Sequence, residues 1–126
     1  MKIIQTDQAP AAIGPYSQAI VFGNVVYTSG QIPLSPITGE VVGDSISGQA
    51  EAAIENLKAV LEAAGSSIEN VVKTTCFLTD LSNFADFNTV YAKHFLSKPA
   101  RSCVEVSALP KGVLIEIEVI ALIISD

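Results

Sequence analysis

The chain has 126 residues and carries 13 acidic against 7 basic residues, which gives a net charge of −6 at pH 7. Because proteins that bind nucleic acids neutralise phosphates with clustered Lys and Arg, this balance argues against a nucleic-acid partner. The length fits a single domain over residues 1–126 that buries a core without disulfides or metal ions.

The hydrophobic residues, 49% of the chain, do not form a membrane segment. The longest apolar run, Val119–Ile124, is much shorter than a spanning helix of about 20 residues. The N-terminal segment turns polar at Gln5, too early for a signal peptide. We therefore expect a cytoplasmic protein with no membrane partner, in which Cys76 and Cys103 are reduced thiols.

We expect no cofactor and no metal ion. The sequence contains neither a Gly-x-Gly-x-x-Gly motif nor a P-loop. Cys76 and Cys103 form no CxxC pair, and with the single histidine, His94, they cannot supply a four-ligand zinc site. A catalytic triad would have to use His94, and no nucleophile elbow marks its partner.

The first third of the chain predicts short strands and loops. Gly23-Asn24 separates two β-rich runs and is the signal of a two-residue hairpin. Tyr16 falls in a segment with too much Pro and Gly for a regular element. We predict strands at 2–5, Ala19–Phe22 and Val25–Ser29, and loops at 9–17 and 30–43.

Ile46–Ala64 is the clearest helix in the sequence. Either Asp44 or Ser45 can cap its first turn, and Gly65 can end it. Its apolar side chains recur at the spacing of one helical face. They are Ile46, Ala50, Ala53, Leu57, Val60 and Ala64.

The second half predicts three strands and one more helix. The strands are Val71–Thr79, the segment PARSCVEV at Pro99–Val106, and Val113–Ile124, while the helix runs from Ser82 or Asn83 to about Phe95. Side chains alternate between the faces of a strand. We expect one core-facing set in the first strand, formed by Val72, Thr74, Cys76 and Leu78. In PARSCVEV we expect Ser102, Val104 and Val106 to face the core and Arg101, Cys103 and Glu105 to face a polar environment.

This order of elements predicts an α+β fold, a single mixed sheet with two helices packed on one face. The last strand is apolar on both faces, and two helices can cover only one of them. We therefore expect the other face to pack against neighbouring subunits. Glu116 and Glu118 then lie either between subunits or at a solvated rim, and the pattern leaves both readings open.

The residues that could carry chemistry are few. A strand-borne Arg101 can bind a carboxylate with its planar fork, or it can be an edge arginine in water or in a salt bridge. Cys103 beside it can have a lowered thiol pKa, or it can be a small half-buried residue. With the glutamate pair and Tyr16, this set can bind a small carboxylate and activate a water molecule.

The sequence resembles the RidA (YjgF) family of reactive-intermediate deaminases over nearly its whole length. The motifs that carry the resemblance are APAAIGPYSQA (9–19), TSGQIP (28–33), NLKAV (56–60), VKTT (72–75), PARSCVEV (99–106) and IEIE (115–118). Each motif is weak alone, but all six occur in order.

The resemblance implies a chorismate-mutase-like α+β fold, assembled as a homotrimer with its ligand sites between subunits. It also implies hydrolysis of enamine/imine intermediates (2-aminoacrylate/2-iminopropanoate and 2-aminocrotonate/2-iminobutanoate) to 2-keto acids and ammonia. Pyridoxal-phosphate-dependent dehydratases release such intermediates from serine and threonine. The partners are thus small 2-imino acids and two further copies of the chain.

The family's site residues fall on positions of this sequence. The resemblance implies that Arg101 clamps the substrate carboxylate and that Glu116 activates water. It further implies that the main chain of Cys103 bonds the substrate and that three residues line the pocket: Tyr16, Gly30 and Asn88. An alternative from another class is a non-catalytic trimer, a small-carboxylate-binding or chaperone-like interaction module, for which Glu116 would be dispensable.

Overall fold

The computed structural model describes residues 1–124. Six strands form one mixed sheet in the order β1-β2-β3-β6-β4-β5, in which only β4 and β5 are parallel. The elements are β1 (Lys2–Ile4), β2 (Ala19–Phe22), β3 (Val25–Thr28), α1 (Ile46–Ala63), β4 (Val71–Leu78), α2 (Phe84–His94), β5 (Ala100–Glu105) and β6 (Ile115–Leu122). Short 3-10 turns lie at Ile68–Asn70, Leu81–Asn83 and Pro110–Gly112.

Both helices pack on one face of the sheet and share a single core with it. This confirms the predicted α+β class, the mixed sheet and the position of the helices. The predicted domain also includes residues 125 and 126, which lie outside the described residues. No helix within residues 1–124 is long and apolar enough to cross a membrane.

The ends of α1 follow from local chemistry. The Ser45 side chain caps the first turn by accepting a hydrogen bond from the Gly48 amide at 3.2 Å. At the other end Gly65 adopts a φ of +83°, which glycine reaches without strain. The prediction was right about both residues and one residue too long.

The predicted facing of β4 is wrong at its start. The pairing register between β4 and β6 shifts between Val71 and Lys73, as at a β-bulge. A bulge adds a residue to one strand, so the alternation of side chains changes there. Val71 is therefore buried and Val72 is 43% exposed, while Thr74, Cys76 and Leu78 face the core as expected.

The predicted facing of β5 is also wrong. Arg101 and Cys103 pair in register with the buried Thr74 and Cys76, so they lie on the helix side of the sheet. Ser102 and Val104 point to the opposite side and are exposed. The apolar side chains of a strand identify its core-facing side only when its other side is polar. In this sheet the face away from the helices is also apolar, so the pattern of β5 does not reveal which side faces the core.

The face of the sheet opposite the helices, here called the open face, is not covered by any element of residues 1–124. Large apolar side chains lie exposed on it. They are Ile3, Phe22, Tyr27 and Val104, at 63%, 68%, 47% and 43% exposure. A surface of this kind is typical of a protein that associates with a partner.

The loop between β3 and α1 is tied down at two points. Gln31 exchanges backbone hydrogen bonds with Ile117 of β6, at 2.8 and 3.1 Å. The buried Asn56 amide of α1 donates to the carbonyls of Ile32 and Leu34, both at 3.0 Å. Together these bonds hold Gly30 against β6.

We predict that Asn56→Ala lowers the free energy of unfolding by about 2 kcal/mol, because two inward-facing carbonyls lose their donor. Chemical denaturation of the purified variant would measure the change. Glu62→Ala, an exposed change on the same helix, should stay within about 0.5 kcal/mol of the wild type. Equal effects of the two substitutions would contradict this account of the loop.

Candidate functional site

Arg101 projects from the edge strand β5 into a cluster of α2 side chains. Its Nη1 donates to Asn88 Oδ1 at 2.7 Å, and its guanidinium carbon lies 4.7 Å from the ring centre of Tyr91 and 5.4 Å from that of Phe84. It is the sole arginine of the sequence. Within residues 1–124 it forms no salt bridge, so its charge has no acidic partner. Of the predicted readings of this arginine, the salt bridge is thus not found within residues 1–124.

A hollow of about 390 Å³ opens beside this guanidinium. Its walls combine apolar and cationic groups, Tyr91, Phe95, Leu96 and Lys98 among them. A fixed cation next to apolar walls suits a small organic anion, because the cation acts in surroundings with less water.

Cys103 is the next inward-facing residue on β5. Burial raises the pKa of its thiol, and the nearby Arg101 lowers that pKa by less. Burial also raises the pKa of Cys76, its cross-strand neighbour, to about 12. Both are free cysteines that stay protonated at neutral pH, so neither is an activated nucleophile.

Glu116 lies on β6, on the open face of the sheet. Within residues 1–124 its carboxylate has no hydrogen-bond or ion-pair partner among the protein groups. Burial raises its pKa, and the charge of Glu118 raises it further. A half-buried carboxylate with a raised pKa and a free edge is suited to act as a general base.

Gly30 leaves the space that this carboxylate occupies. A Cβ added at Gly30 would lie 2.6 Å from Glu116 Oε2, closer than real Cβ contacts allow. Gly30 does not have a positive φ, so the need for glycine here is one of space and not of backbone conformation.

Tyr16 completes a second hollow, of about 440 Å³, around Glu116 and Gly30. Its phenol oxygen accepts a hydrogen bond from the Ile13 amide at 3.3 Å, which folds the loop back on itself. The other walls are mostly apolar and include Ile13, Ile32 and Leu34. Three of the six predicted site residues therefore line one hollow.

The predicted site residues fall into two groups in a single chain. We call Arg101, Asn88 and Cys103 the guanidinium half-site, and Tyr16, Gly30 and Glu116 the carboxylate half-site. The pairing register separates them, because Arg101 aligns with the buried Thr74 whereas Glu116 lies between the buried Ile115 and Ile117 and so points to the other face. One protomer cannot bring Arg101 and Glu116 to the same small ligand.

His94 belongs to neither half-site. Its Nε2 lies 2.8 Å from Glu51 Oε2, and Glu55 completes a set of three possible metal ligands. Lys93 and Lys58 stand 4.0 and 3.4 Å from those two carboxylates. The hydrogen bond of His94 and the ion pair of Lys93, both with Glu51, connect α1 and α2 at the surface.

Sequence reasoning missed the aromatic surroundings of Arg101. By helical spacing alone, Phe84 and Tyr91 are apolar and aromatic positions of the second helix, with nothing that links them to Arg101. Asn88 stands four residues after the first and three before the second, so all three share one helical stripe. A polar residue inside an aromatic stripe was the available signal.

We predict that Glu116→Gln stabilises the protein near pH 7. The raised pKa means that the folded state binds the Glu116 proton more tightly than the unfolded chain, so the ionised carboxylate costs stability as pH rises through that pKa. The gain in thermal midpoint should shrink as the pH falls below about 4.3, the ordinary glutamate pKa, because the carboxyl then becomes protonated in both states. Glu62→Gln, at an exposed position, should show no such trend. A pH-independent gain would contradict the assignment.

Comparison with known proteins places the chain in a family. The family model described as Endoribonuclease L-PSP matches residues 6–123. A 2-iminobutanoate/2-iminopropanoate deaminase of Escherichia coli K12 is 52% identical over 124 residues, covering 95% of this chain and 96% of the relative. A RutC family protein of Pyrococcus abyssi is 55% identical over 121 residues, covering 95% of each.

A solved structure agrees with these sequence matches. The crystal structure of E. coli TdcF with bound serine has a TM-score of 0.92 and 49% identity, and the match covers 97% of this chain and 98% of that one. The family model, the relatives and the fold each span nearly the whole chain. The resemblance seen in the motifs is thereby confirmed, and the chain belongs to the endoribonuclease L-PSP family, which is the RidA (YjgF) family.

Proposed function

We propose that this protein hydrolyses small 2-imino acids, 2-iminopropanoate and 2-iminobutanoate with their enamine forms, to 2-keto acids and ammonia. Each site combines the guanidinium half-site of one protomer with the carboxylate half-site of the next in a homotrimer. The number three rests on the family resemblance. No cofactor takes part.

The observation that carries this proposal is that the Arg101 guanidinium and the Glu116 carboxylate both lack a partner of opposite charge within residues 1–124. Arg101 has no acidic partner within residues 1–124, and Glu116 has neither a donor nor a cation there. Each stands in a hollow, on opposite faces of one sheet. A small anion held beside a water molecule would satisfy both groups once a second protomer faces the first.

The chemistry needs only positioning and one proton acceptor. The Arg101 fork binds the substrate carboxylate and so fixes the adjacent imine carbon, which is already electrophilic. Water attacks this carbon while Glu116 accepts its proton, and the C=N double bond becomes a single bond. Glu116 returns this proton to the nitrogen, which gives a neutral carbinolamine. Glu116 next takes the proton of the new hydroxyl group and passes it to the amino nitrogen, so that the C=O bond forms as the C–N bond breaks and ammonia leaves.

The relatives support this class of substrate. Three of those at 52% identity are named 2-iminobutanoate/2-iminopropanoate deaminase, and TdcF holds serine, an amino acid with a free carboxylate. The family model carries an endoribonuclease description. A net charge of −6 with one arginine favours a small carboxylate over RNA.

A dehydratase-coupled assay tests the activity, with semicarbazide trapping the imine that escapes hydrolysis. We predict that Arg101→Ala and Glu116→Ala each lower kcat/KM by about 100-fold or more, since each removes one essential function. Glu62→Ala serves as the surface control. Carboxylate binding that needs Arg101 but is unchanged in Glu116→Ala, with no turnover by the wild type, would favour the non-catalytic binding module.

Mixing the two inactive variants tests whether the site is shared between protomers. Each chain lacks one group, so a site within one chain stays inactive in any mixture. A site between chains is intact when an Arg101→Ala protomer supplies Glu116 and a Glu116→Ala neighbour supplies Arg101. Random co-assembly should then restore about one quarter of the wild-type activity, the product of two probabilities of one half. Zero recovery in mixed oligomers would refute the shared site.

Gly30→Ala should abolish most of the activity without unfolding the protein. The added methyl group would displace the Glu116 carboxylate from its hollow, and we expect kcat to fall by on the order of 100-fold. The matched control is Gly48→Ala on α1, where the new Cβ meets its nearest atom at 3.5 Å, an ordinary contact. Full activity of Gly30→Ala would remove Glu116 from the mechanism.

A further inference from the structure

Tyr91 of α2 is buried to 8% exposure directly beneath the guanidinium of Arg101. The separation of 4.7 Å between the guanidinium carbon and the ring centre is within the range of a cation–π contact. No carboxylate pairs with Arg101 within residues 1–124, and the ring of Tyr91 lies closer to the guanidinium than that of Phe84, at 4.7 against 5.4 Å.

The ring of Tyr91 is itself held from two sides. Its hydroxyl group shares a buried hydrogen bond of 2.8 Å with Thr74, and the ring stacks on that of Phe95 at 4.3 Å between ring centres. Thr74 is the residue that pairs in register with Arg101 on the neighbouring strand. Tyr91 is therefore anchored through its hydroxyl group to the β4 residue next to Arg101, while its ring contacts the Arg101 guanidinium.

Asn88 lies three residues before Tyr91, on the same stripe of α2. Asn88 accepts a hydrogen bond from one edge of the guanidinium, and the ring of Tyr91 contacts its face. Helix α2 therefore constrains both the position and the orientation of the Arg101 guanidinium. Asn88 occupies one of the five N–H donors of the arginine, and the others remain for a ligand.

We propose that Tyr91 is a positioning residue, which holds the Arg101 guanidinium ready to bind the substrate carboxylate. The role in substrate binding rests on the proposed function, whereas the ordering of Arg101 does not depend on it. A guanidinium that is already ordered loses little conformational entropy when the anion binds.

The sole arginine of the chain gives a direct measurement of its own ordering. An NMR spectrum of the Arg side-chain Hε–Nε groups contains one signal, which needs no assignment. In the wild type we expect this signal to be sharp and shifted by the ring current of Tyr91. In Tyr91→Met, which fills the space without a ring, it should move towards the position of a free arginine side chain, with the more distant Phe84 ring, at 5.4 Å, as the remaining source of a ring-current shift.

Two further variants separate positioning from packing. Phe87→Met removes another buried ring from the same helix, one that packs on Tyr91 at 5.6 Å between ring centres but has no cation–π contact with Arg101, and should leave the signal in place. Tyr91→Phe keeps the ring and removes the bond to Thr74. We expect it to keep the shift but to broaden the signal, so it decides the matter even where Tyr91→Met does not fold. An unchanged signal in both Tyr91 variants would overturn the inference.

Ligand binding connects the ordering to function. Addition of 2-oxobutanoate, a stable carboxylate, should shift the Arg101 signal, and Tyr91→Met should weaken this binding by about tenfold. In the hydrolysis assay the same variant should raise KM by a similar factor and leave kcat within about twofold, because the carboxylate contact exists before and during reaction.

The two proposals fail in different ways. A wild type that binds 2-oxobutanoate through an ordered Arg101 but hydrolyses no imine would refute the deaminase and support the positioning role. A wild type that hydrolyses imines, with a KM that does not respond to Tyr91→Met or Tyr91→Phe, would refute the positioning role and keep the deaminase.

Discussion

The alternation of side chains along a β-strand separates the two charges on which any chemistry here depends. Arg101 on β5 points towards the helices, whereas Glu116 on β6 points to the open face. No rotamer change moves a side chain through a hydrogen-bonded sheet. The same sheet leaves large apolar side chains exposed on the face that carries Glu116. A neighbouring protomer would cover this surface and bring in the missing charge, so assembly and site formation have one common cause.

The site keeps its two ionisable groups short of partners, which is unfavourable for the isolated chain. Burial and Glu118 both disfavour the charged form of Glu116, and Gly30 makes room for its carboxylate instead of bonding it. Within the described residues no buried side-chain nitrogen or oxygen lacks a hydrogen-bond partner. The unpaired charges of Arg101 and Glu116 lie at the positions that a ligand would complete, as expected where stability gives way to function.

Sequence patterns predicted the elements well and their facing less well. The capped helix α1 and the hairpin at Gly23 follow local rules, and both were found. The facing of Val72 failed because a β-bulge has no reliable sequence signal. Ser102 and Val104 were assigned to the core because the open face is apolar too. Tyr91 was missed because helical spacing cannot distinguish a core ring from one beneath a cation.

The neutral amide of Asn88 explains how Arg101 can be held and yet stay available. Its Oδ1 accepts from Nη1 at 2.7 Å, a geometry that an aspartate could also adopt. An aspartate would, however, add a charge-assisted bond and neutralise the guanidinium. A substrate carboxylate would then have to displace that ion pair. Within residues 1–124 an amide and an aromatic ring hold the cation without a competing anion, so the sole arginine of a chain of net charge −6 keeps an unpaired charge that a ligand carboxylate could use.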